Sequence, residues 1–381
     1  MARSSTSTSY KRMKGGNHLR QKLLLATLSS TPIVVDDIRS DHTWPGLLPH
    51  EVSLLRLFER LCDDCSVEIN ETGTKFKYKP GIIMGGKIKE HDCGVSRSIG
   101  YFLEPLIVLG LFGKKPLSIC LKGITDDPKD PSIDTFRSAT LPLLKRFGVP
   151  DDALKLKLVS RGVPPRGGGE ILLSVPSVQS LSAVTWTDEG IVKRIRGFTF
   201  SSHVPQGFEF EMVRAAREML KGLLDDVFIT MDHRIGPPAG KSRGYGISLV
   251  AETTSGCFMS SDTTISCGYE DEAEEEGKEK KQLKPPEDVS EETVARLLSD
   301  IKRGGVVDST HQGLLFILCA LCPQDVSKVR VGQLTPYGIE TLRNISDFLG
   351  VKFDIRPDPS TETLILKCVG CGLKNLSRKA S

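Results

Sequence analysis

One pattern recurs three times along this chain and limits the folds that it can adopt. In each copy an amphipathic helix is followed by a short turn, a strand, a second turn rich in Gly, Pro and Asx residues, and another strand. Helix-then-strand units repeated at this scale predict a pseudo-symmetric α/β body in which each sheet is covered by its own pair of helices. The copies lie at residues 52–69 with 75–79, at 140–147 with 154–159 and 170–175, and at 339–349 with 351–355 and 363–368.

A different pattern interrupts this body between the second and third copies. The segment at 184–269 predicts a small inserted α/β domain, so the body is expected at 11–183 and 287–381. The predicted elements of the insert are a basic strand at 186–201, a helix at 206–224 with Phe210, Val213, Met219 and Leu220 at core spacing, and strands at 246–252 and 257–266.

Two further segments have compositions that do not support folding. Residues 270–286 begin with an acidic run and continue into KEKKQLKPP, which contains too few apolar residues to build a core. We expect a flexible linker there. Residues 1–10 are rich in Ser and Thr and predict a disordered tail.

The charge distribution points to a polyanionic partner. The whole chain carries +3, but residues 270–292 hold 11 acidic and 4 basic side chains, so the rest of the chain carries +10. That balance favours RNA, although a lysine-rich solvated surface explains it equally well. The first 22 residues contain no apolar signal core, and no later run is long enough to cross a bilayer. We therefore expect a soluble protein with no membrane partner.

The cysteines and glycines do not predict a metal or a nucleotide cofactor. Pairs with CxxC spacing lie at 62/65, 319/322 and 368/371, whereas the two pairs of one zinc site usually lie close together in sequence. The phrase GPPAGKS at 236–242 is one residue shorter than a phosphate-binding loop, and its prolines lack N–H donors. It predicts a connecting loop.

Basic side chains mark two candidate contacts with RNA. Side chains alternate along a strand, so TKFKYK places Lys75, Lys77 and Lys79 on one face, suited either to tracking a phosphate backbone or to protecting a solvated edge strand. Arg166 lies beside three consecutive glycines in PPRGGGEI, where it fits an anion contact or a surface position on a glycine hairpin.

Two groups of polar residues flank the apolar run GLLFILCALC. Asp308 and His311 precede it and have the residue types of an acid/base pair, but the clustering of Asp, Ser and Thr there favours helix capping. The predicted loop at 324–330 follows it and is expected to expose Asp325, Lys328 and Arg330 to a partner or RNA.

Several motifs in order resemble the RNA 3′-terminal phosphate cyclase family, and more closely its cyclase-like branch, whose members act in ribosome assembly. The resemblance implies three βαβαββ units like the C-terminal domain of translation initiation factor three, with a thioredoxin-like insert. The motifs are GGNHLRQ at 15–21, IRSDHTWPGLLPHE at 38–51, PPRGGGEI at 164–171, VVDSTHQGLLFILCAL at 306–321 and LTPYGIETLRNISDFLGVKF at 334–353.

The resemblance also indicates where this chain departs from the enzymes. The cyclases carry AMP on a histidine, and Tyr337 occupies that position here; a phenol with an ordinary pKa of about 10 is a poor substitute. The enzymes' Glu-Gly-Gly-Gly-Gln becomes residues 13–17, MKGGN, and their Asp-Gln pair becomes Gly313-Leu314. These changes imply lost nucleotide chemistry and no cofactor. Arg20, Arg39 and Arg166 remain and imply a pocket that holds an anion or an RNA backbone.

The resemblance therefore implies a nucleolar ribosome-biogenesis factor that supports the pre-rRNA cleavages leading to 18S rRNA. Its implied partners are pre-rRNA, the small-subunit processome and a ribosome-assembly GTPase of the Bms type. The alternative is an endoribonuclease that cuts the first internal spacer itself. In that case Asp325, Lys328 and Arg330 are the candidates for polarising the phosphodiester and assisting the 2′-OH.

Overall fold

The computed structural model describes residues 9–205, 207–266 and 284–375. These residues form four mixed four-stranded sheets packed against helices, which confirms the predicted α/β class. Three of the sheets share one strand order, in which the first two strands run parallel and the last two antiparallel. The predicted tail up to residue 8 and the predicted linker up to residue 283 lie outside the described residues.

The first unit runs strand, helix, strand, helix, strand, strand. Its second helix buries Leu54, Phe58 and Leu61 on one side, and Glu51 in the first turn accepts the backbone N–H of Leu48 at 2.8 Å. The elements are β1 (Lys11–Lys14), α1 (Leu19–Leu28), β2 (Ile33–Asp36), α2 (Pro49–Leu61), β3 (Cys62–Asp63), β4 (Ser66–Ile69), β5 (Phe76–Lys79) and β6 (Ile82–Ile83). The sheet order is β1-β2-β5-β4, and β3 pairs separately with β6.

The second unit repeats this plan with the sheet order first, second, fourth, third strand. Its first helix is apolar on nearly every side because it lies between its own sheet and α1. The elements are β7 (Gly85–Asp92), α3 (Gly100–Leu111), β8 (Lys115–Gly123), α4 (Ile133–Thr135), a π-helical turn (Phe136–Thr140), α5 (Leu141–Arg146), β9 (Lys155–Ser160) and β10 (Gly169–Val175).

The third unit is divided by the insert. Its first strand, β11 (Thr185–Trp186), pairs in parallel with β16 (Val326–Val331), which comes after the insert in the chain. The strand predicted at 186–201 is therefore two strands, because Trp186 hydrogen-bonds into the third sheet before the chain enters the fourth. The remaining elements are α8 (Gln312–Leu321), β16 (Val326–Val331), α9 (Pro336–Leu349), β17 (Asp354–Asp358) and β18 (Thr363–Val369).

The insert has its own hydrophobic core, which lies beneath a four-stranded sheet. The strand order of this sheet is β13-β12-β14-β15, with the ranges given below. Three of its features differ from the prediction. Residues 227–234 form an additional strand. Phe210 and Met219 are 59% and 36% exposed. The helix at 286–303 packs against the insert, although the prediction assigned those residues to the third unit. The elements are β12 (Val192–Ser202), α6 (Phe208–Leu220), β13 (Val227–Arg234), a 3₁₀ turn (Pro237–Ala239), β14 (Gly244–Thr253), β15 (Phe258–Ser266) and α7 (Pro286–Arg303).

The helices of the three units share one continuous core, and this arrangement positions the candidate site. Helix α1 contacts both α3 and α9, while α9 also packs on α8. The N-terminal turn of α9 therefore faces side chains from the first two units. Within the described residues, no helix is long and apolar enough to span a bilayer.

Candidate functional site

Tyr337 lies in the first turn of α9, and that turn is fixed by hydrogen bonds from both sides. The side chain of Thr335 caps the helix by accepting the backbone N–H of Gly338 at 2.9 Å. The backbone N–H of Thr335 donates to Oε1 of Gln312 at 3.0 Å, and Nε2 of Gln312 donates to the carbonyl of Gln333 at 2.9 Å. The start of α9 is thus held against the start of α8, and the Tyr337 ring has a defined place.

The Tyr337 hydroxyl belongs to an ionic group that we call the Arg20 cluster: Arg20, Arg97, Glu104, Asp130 and Tyr337. The hydroxyl lies 3.3 Å from an Arg20 nitrogen and donates to Glu104 at 3.4 Å. Arg20 also lies 3.6 Å from carboxylate oxygens of both Glu104 and Asp130. Arg97 donates to Asp130 as well. Two guanidinium groups are therefore matched by two carboxylates around one phenol.

This environment suppresses ionisation of the phenol. Burial, together with the nearby Glu104 carboxylate, raises the pKa of Tyr337 to about 12. At pH 7 a group with that pKa is ionised in roughly one molecule in 10⁵. The phenol is therefore a hydrogen-bond donor to Glu104 and an acceptor from Arg20, not an activated nucleophile.

Gly313 provides the space that the Tyr337 ring occupies. A Cβ atom at residue 313 would lie 2.6 Å from Cε1 of Tyr337 and 3.1 Å from the Thr341 hydroxyl. A side chain at 313 and an aromatic ring at 337 therefore compete for the same volume. The residue types at 313 and 337 are thus physically linked.

Arg39 lies beside this region but is already engaged. Its guanidinium donates to the two carboxylate oxygens of Glu51 at 2.6 and 2.8 Å and to the carbonyl of Gly46 at 3.0 Å. It also lies against the backbone of Gly16, where an added Cβ would be 3.1 Å from it. An anion at Arg39 would have to compete with a bidentate carboxylate, so anion binding by Arg20 and Arg39 stays a prediction.

Arg166 occupies a different place from Arg20 and Arg39. It is exposed on the turn between β9 and β10, and its backbone N–H donates to the Ser242 hydroxyl of the insert at 3.0 Å. The turn also approaches Lys241 through Gly168. The structure thus joins Arg20 to Tyr337, whereas Arg166 lies at the junction of the second unit with the insert.

Lys75, which precedes β5, and the two lysines of β5 alternate with buried aromatic residues as predicted, and each has an acidic neighbour. Phe76 and Tyr78 are buried, while the lysines between and after them are on the open face. The ion pairs are Lys75–Asp36 at 2.8 Å, Lys77–Glu68 at 2.9 Å and Lys79–Asp64 at 3.5 Å. Their positive charge is largely balanced within the first unit.

The predicted loop at 324–330 is wrong: residues 326–331 form strand β16, because they pair with β18 and β11. Arg330 is only 16% exposed, and it donates to Asp358 at 2.8 Å, to Thr363 at 2.7 Å and to further oxygens. The Asp325 carboxylate accepts the N–H of Val326 at 2.7 Å. Lys328 lies opposite Lys367 in the strand register. The guanidinium of the endonuclease alternative is therefore committed to holding the third unit together.

The predicted capping of helix α8 by Asp308 is wrong, because His311 is the residue that precedes the helix and its side chain makes no capping hydrogen bond. Asp308 instead holds the turn that leads into α8. Its carboxylate accepts the backbone N–H groups of Thr310 at 2.9 Å and His311 at 3.0 Å, and the backbone N–H of Ser260 in the insert at 2.7 Å. The His311 ring lies 2.9 Å from the same carboxylate and 2.8 Å from the Thr140 hydroxyl. Burial opposes a charge on the imidazole, but Asp308 more than offsets it and raises the pKa of His311. The pair thus ties α8 to the insert and to the second unit.

Two CxxC pairs that are distant in sequence come together in the third unit. The N–H of Cys371 donates to the carbonyl of Ala320 at 2.8 Å, next to Cys319, and Gly372 donates to the carbonyl of Cys322 at 2.9 Å. Burial raises the pKa of Cys322 to about 11, so that thiol remains protonated near neutral pH. Among the described residues, no group of three or more His, Cys, Asp or Glu side chains is arranged to hold a metal ion.

The sequence predicted Arg20 and Tyr337 but missed their acidic partners. Glu104 is the single charged residue in the otherwise apolar helix α3, and Asp130 follows β8 in a turn capped by Asp127. An isolated carboxylate inside an apolar helix is the signal that identifies such a partner, since a buried charge requires a counter-charge.

Comparison with known proteins agrees with the motifs and with this geometry. The family model for RNA 3′-terminal phosphate cyclase matches residues 11–355. A protein of Arabidopsis thaliana named probable RNA 3′-terminal phosphate cyclase-like protein is 64% identical over 371 residues, 97% of this chain and 99% of its own length. The human RNA 3′-terminal phosphate cyclase-like protein is 43% identical over 384 residues, covering 99% of both chains.

A further relative carries a name that states a process. The rRNA processing protein rcl1 of Schizosaccharomyces pombe is 38% identical over 373 residues, 97% of this chain and 98% of its own length. The family match and these full-length similarities confirm the resemblance deduced from the motifs. This chain belongs to the RNA 3′-terminal phosphate cyclase family.

Proposed function

We propose that this protein acts in rRNA processing as a binding factor, without the adenylylation chemistry of the RNA cyclases. The observation that carries the proposal is the state of Tyr337, which stands where the family resemblance places the nucleophilic histidine. Its phenol has a pKa raised to about 12 and contacts an arginine that already has two carboxylate partners. The name of the fission-yeast relative supports rRNA processing as the process.

The finer parts of the proposal follow from the cyclase-like branch. They are action in the nucleus, specifically the nucleolus, within the small-subunit processome, and support of the cleavages that yield 18S rRNA. Pre-rRNA and a GTPase of the Bms type are the proposed partners. The charge of +10 outside residues 270–292 supports a polyanionic partner.

A labelling experiment tests the absence of nucleotide transfer. The full-length protein is incubated with Mg²⁺ and α-³²P-ATP beside an active RNA 3′-terminal phosphate cyclase. The cyclase is expected to acquire an acid-labile phosphoramidate label, and this protein is expected to remain unlabelled because the Tyr337 phenol stays protonated. An acid-labile label on this protein would refute the proposal.

A cellular experiment tests the process. Depletion of the protein should cause precursors of 18S rRNA to accumulate, as followed by hybridisation, and a Tyr337→Phe copy should restore processing because the hydroxyl performs no chemistry. Unchanged precursor levels after depletion would contradict the role in rRNA processing. The endonuclease alternative would be favoured instead if the purified protein cut a pre-rRNA spanning the first internal spacer and lost that activity on Lys328→Ala.

A further inference from the structure

The second unit presents one face of its sheet to solvent. Residues that alternate along its strands, such as Ile119, Leu156 and Ile171, are buried under the helices, and their neighbours project from the opposite face. Lys155 and Lys157 of β9 are exposed on that open face, as are Lys87 and Lys89 of β7. We call these four residues the lysine face.

The strand register shows how these lysines are arranged. Lys87 is in register with Ser118, Ser118 with Ser174, and Ser174 with Lys155. Two lysines therefore stand at the ends of one row across four strands, about 14 Å apart at a strand spacing of about 4.8 Å. Lys157 lies two residues along β9, or about 7 Å away, which is comparable to the separation of successive phosphates in an extended RNA strand.

Three of the four lysines lack local compensation. Within the described residues, none of Lys87, Lys89, Lys155 and Lys157 forms an ion pair. Lys89 is the direct chain neighbour of Glu90, which pairs with Lys122 at 2.7 Å. Glu170, in register with Lys122, lies at the end of the sheet away from Lys155. The corresponding face of the first unit differs, because Lys75, Lys77 and Lys79 each have a carboxylate partner.

The surface of the sheet between the lysines carries no charged side chain. It consists of Ser118, Cys120, Leu172 and Ser174, and Leu172 is 42% exposed. It contains no aromatic ring on which a base could stack. A ligand held here would be recognised by its backbone charge and not by its base sequence.

We propose that the lysine face of the second unit binds the phosphate backbone of RNA. The inference rests on the proposed role in rRNA processing and identifies the surface that grips the substrate. It replaces the β5 lysines as the main RNA contact, because free ammonium groups displace RNA counterions without first giving up a carboxylate.

The salt dependence of binding gives the expected size of the effect. Each phosphate neutralised on a single strand contributes about 0.7 to the slope of log K against log salt. Removing Lys87, Lys155 and Lys157 should therefore reduce that slope by about 2. If the plots of log K against log salt for the unmodified protein and the variant converge near 1 M salt, the variant loses affinity on the order of 100-fold at 0.1 M.

The experiment uses the full-length protein and a fluorescent oligouridylate, with binding followed by anisotropy between 0.05 and about 0.3 M salt, a range over which such contacts dominate. The test variant is K87Q/K155Q/K157Q. The matched control, K75Q/K77Q/K79Q, removes the same number of charges from the first unit. Thermal unfolding verifies that both variants fold, as expected for exposed side chains.

A slope reduced by about 2 in the test variant, with a change of less than about half that in the control, is the result expected from the contact arithmetic. An equal reduction of the slope in both variants would show that binding responds to total charge, and this result would overturn the proposal. The absence of oligouridylate binding by the unmodified protein would overturn it as well. Binding of polyglutamate through the same lysines without oligouridylate binding would assign the face to an acidic protein instead. None of these failures would alter the depletion result, which tests the role in rRNA processing separately.

Discussion

Substitution of Gly313 by alanine tests whether the Tyr337 ring and residue 313 share one space. In the first turn of a helix, replacing Gly with Ala normally stabilises a protein by up to about 1 kcal/mol. Here the new methyl carbon would lie 2.6 Å from Cε1 of Tyr337 and 3.1 Å from the hydroxyl of Thr341. Overpacking of this kind costs about 1–3 kcal/mol, so Gly313→Ala should lower the free energy of unfolding by about 1–2 kcal/mol.

A double-mutant cycle identifies the ring as the cause. The free energies of unfolding of G313A, Y337A and G313A/Y337A are measured by denaturant titration, with the fluorescence of the buried Trp186 as the probe. Once the ring is removed, the alanine methyl has room, and the two substitutions should show a favourable coupling of about 1–3 kcal/mol. A G313A protein as stable as the unmodified one, or a coupling near zero, would show that the ring does not fill this space.

Three further predictions concern charges and hydrogen bonds. The pKa of His311 is raised on folding, so the charged imidazole stabilises the folded state fully below the unfolded pKa of about 6.5. This contribution is lost as the pH rises through the higher folded pKa. The difference in the free energy of unfolding between the unmodified protein and His311→Gln should therefore shrink from about pH 6 upward. Arg330→Met removes the guanidinium hydrogen bonds to the Thr187 carbonyl and the Thr363 hydroxyl and should lower the free energy of unfolding by about 1–2 kcal/mol, whereas Lys328→Met should change it by less than about 0.5 kcal/mol. Tyr337→Phe removes a hydroxyl shared by Arg20 and Glu104 and should cost about 1 kcal/mol, measured in the same titration.

Local sequence patterns predicted the elements whose cause is local. The alternation in β5 follows from side-chain geometry. The predicted stripe in α6 is partly wrong: Val213 and Leu220 enter the core with Met212 and Ala216, whereas Phe210 and Met219 flank that buried stripe and are 59% and 36% exposed. A helical period predicts a face but not how far the neighbouring sheet covers it.

The misplaced assignments depend on contacts between distant parts of the chain. Trp186 joins the third sheet through pairing with a strand more than 100 residues later. Helix α7 packs with the insert although α8 of the third unit is the next helix in the chain. The same applies to the Arg20 cluster, whose hydrogen bond between Arg20 and Tyr337 spans 317 positions. Sequence spacing gives no information about such pairs, since strand partners and charge partners are chosen by packing.

The positions at which the family resemblance implies departures from the cyclases are part of the packing of the protein. Met13, where the resemblance implies a carboxylate in the cyclases, packs against the main core, so a carboxylate placed there would lose much of its hydration. Gly313 is needed by the ring of Tyr337, and Arg20 is held by Glu104 and Asp130. An imidazole placed at 337 would therefore face an arginine committed to two carboxylates. Substitutions at 313 and 337 act on the same space, so their effects on stability are expected to be non-additive.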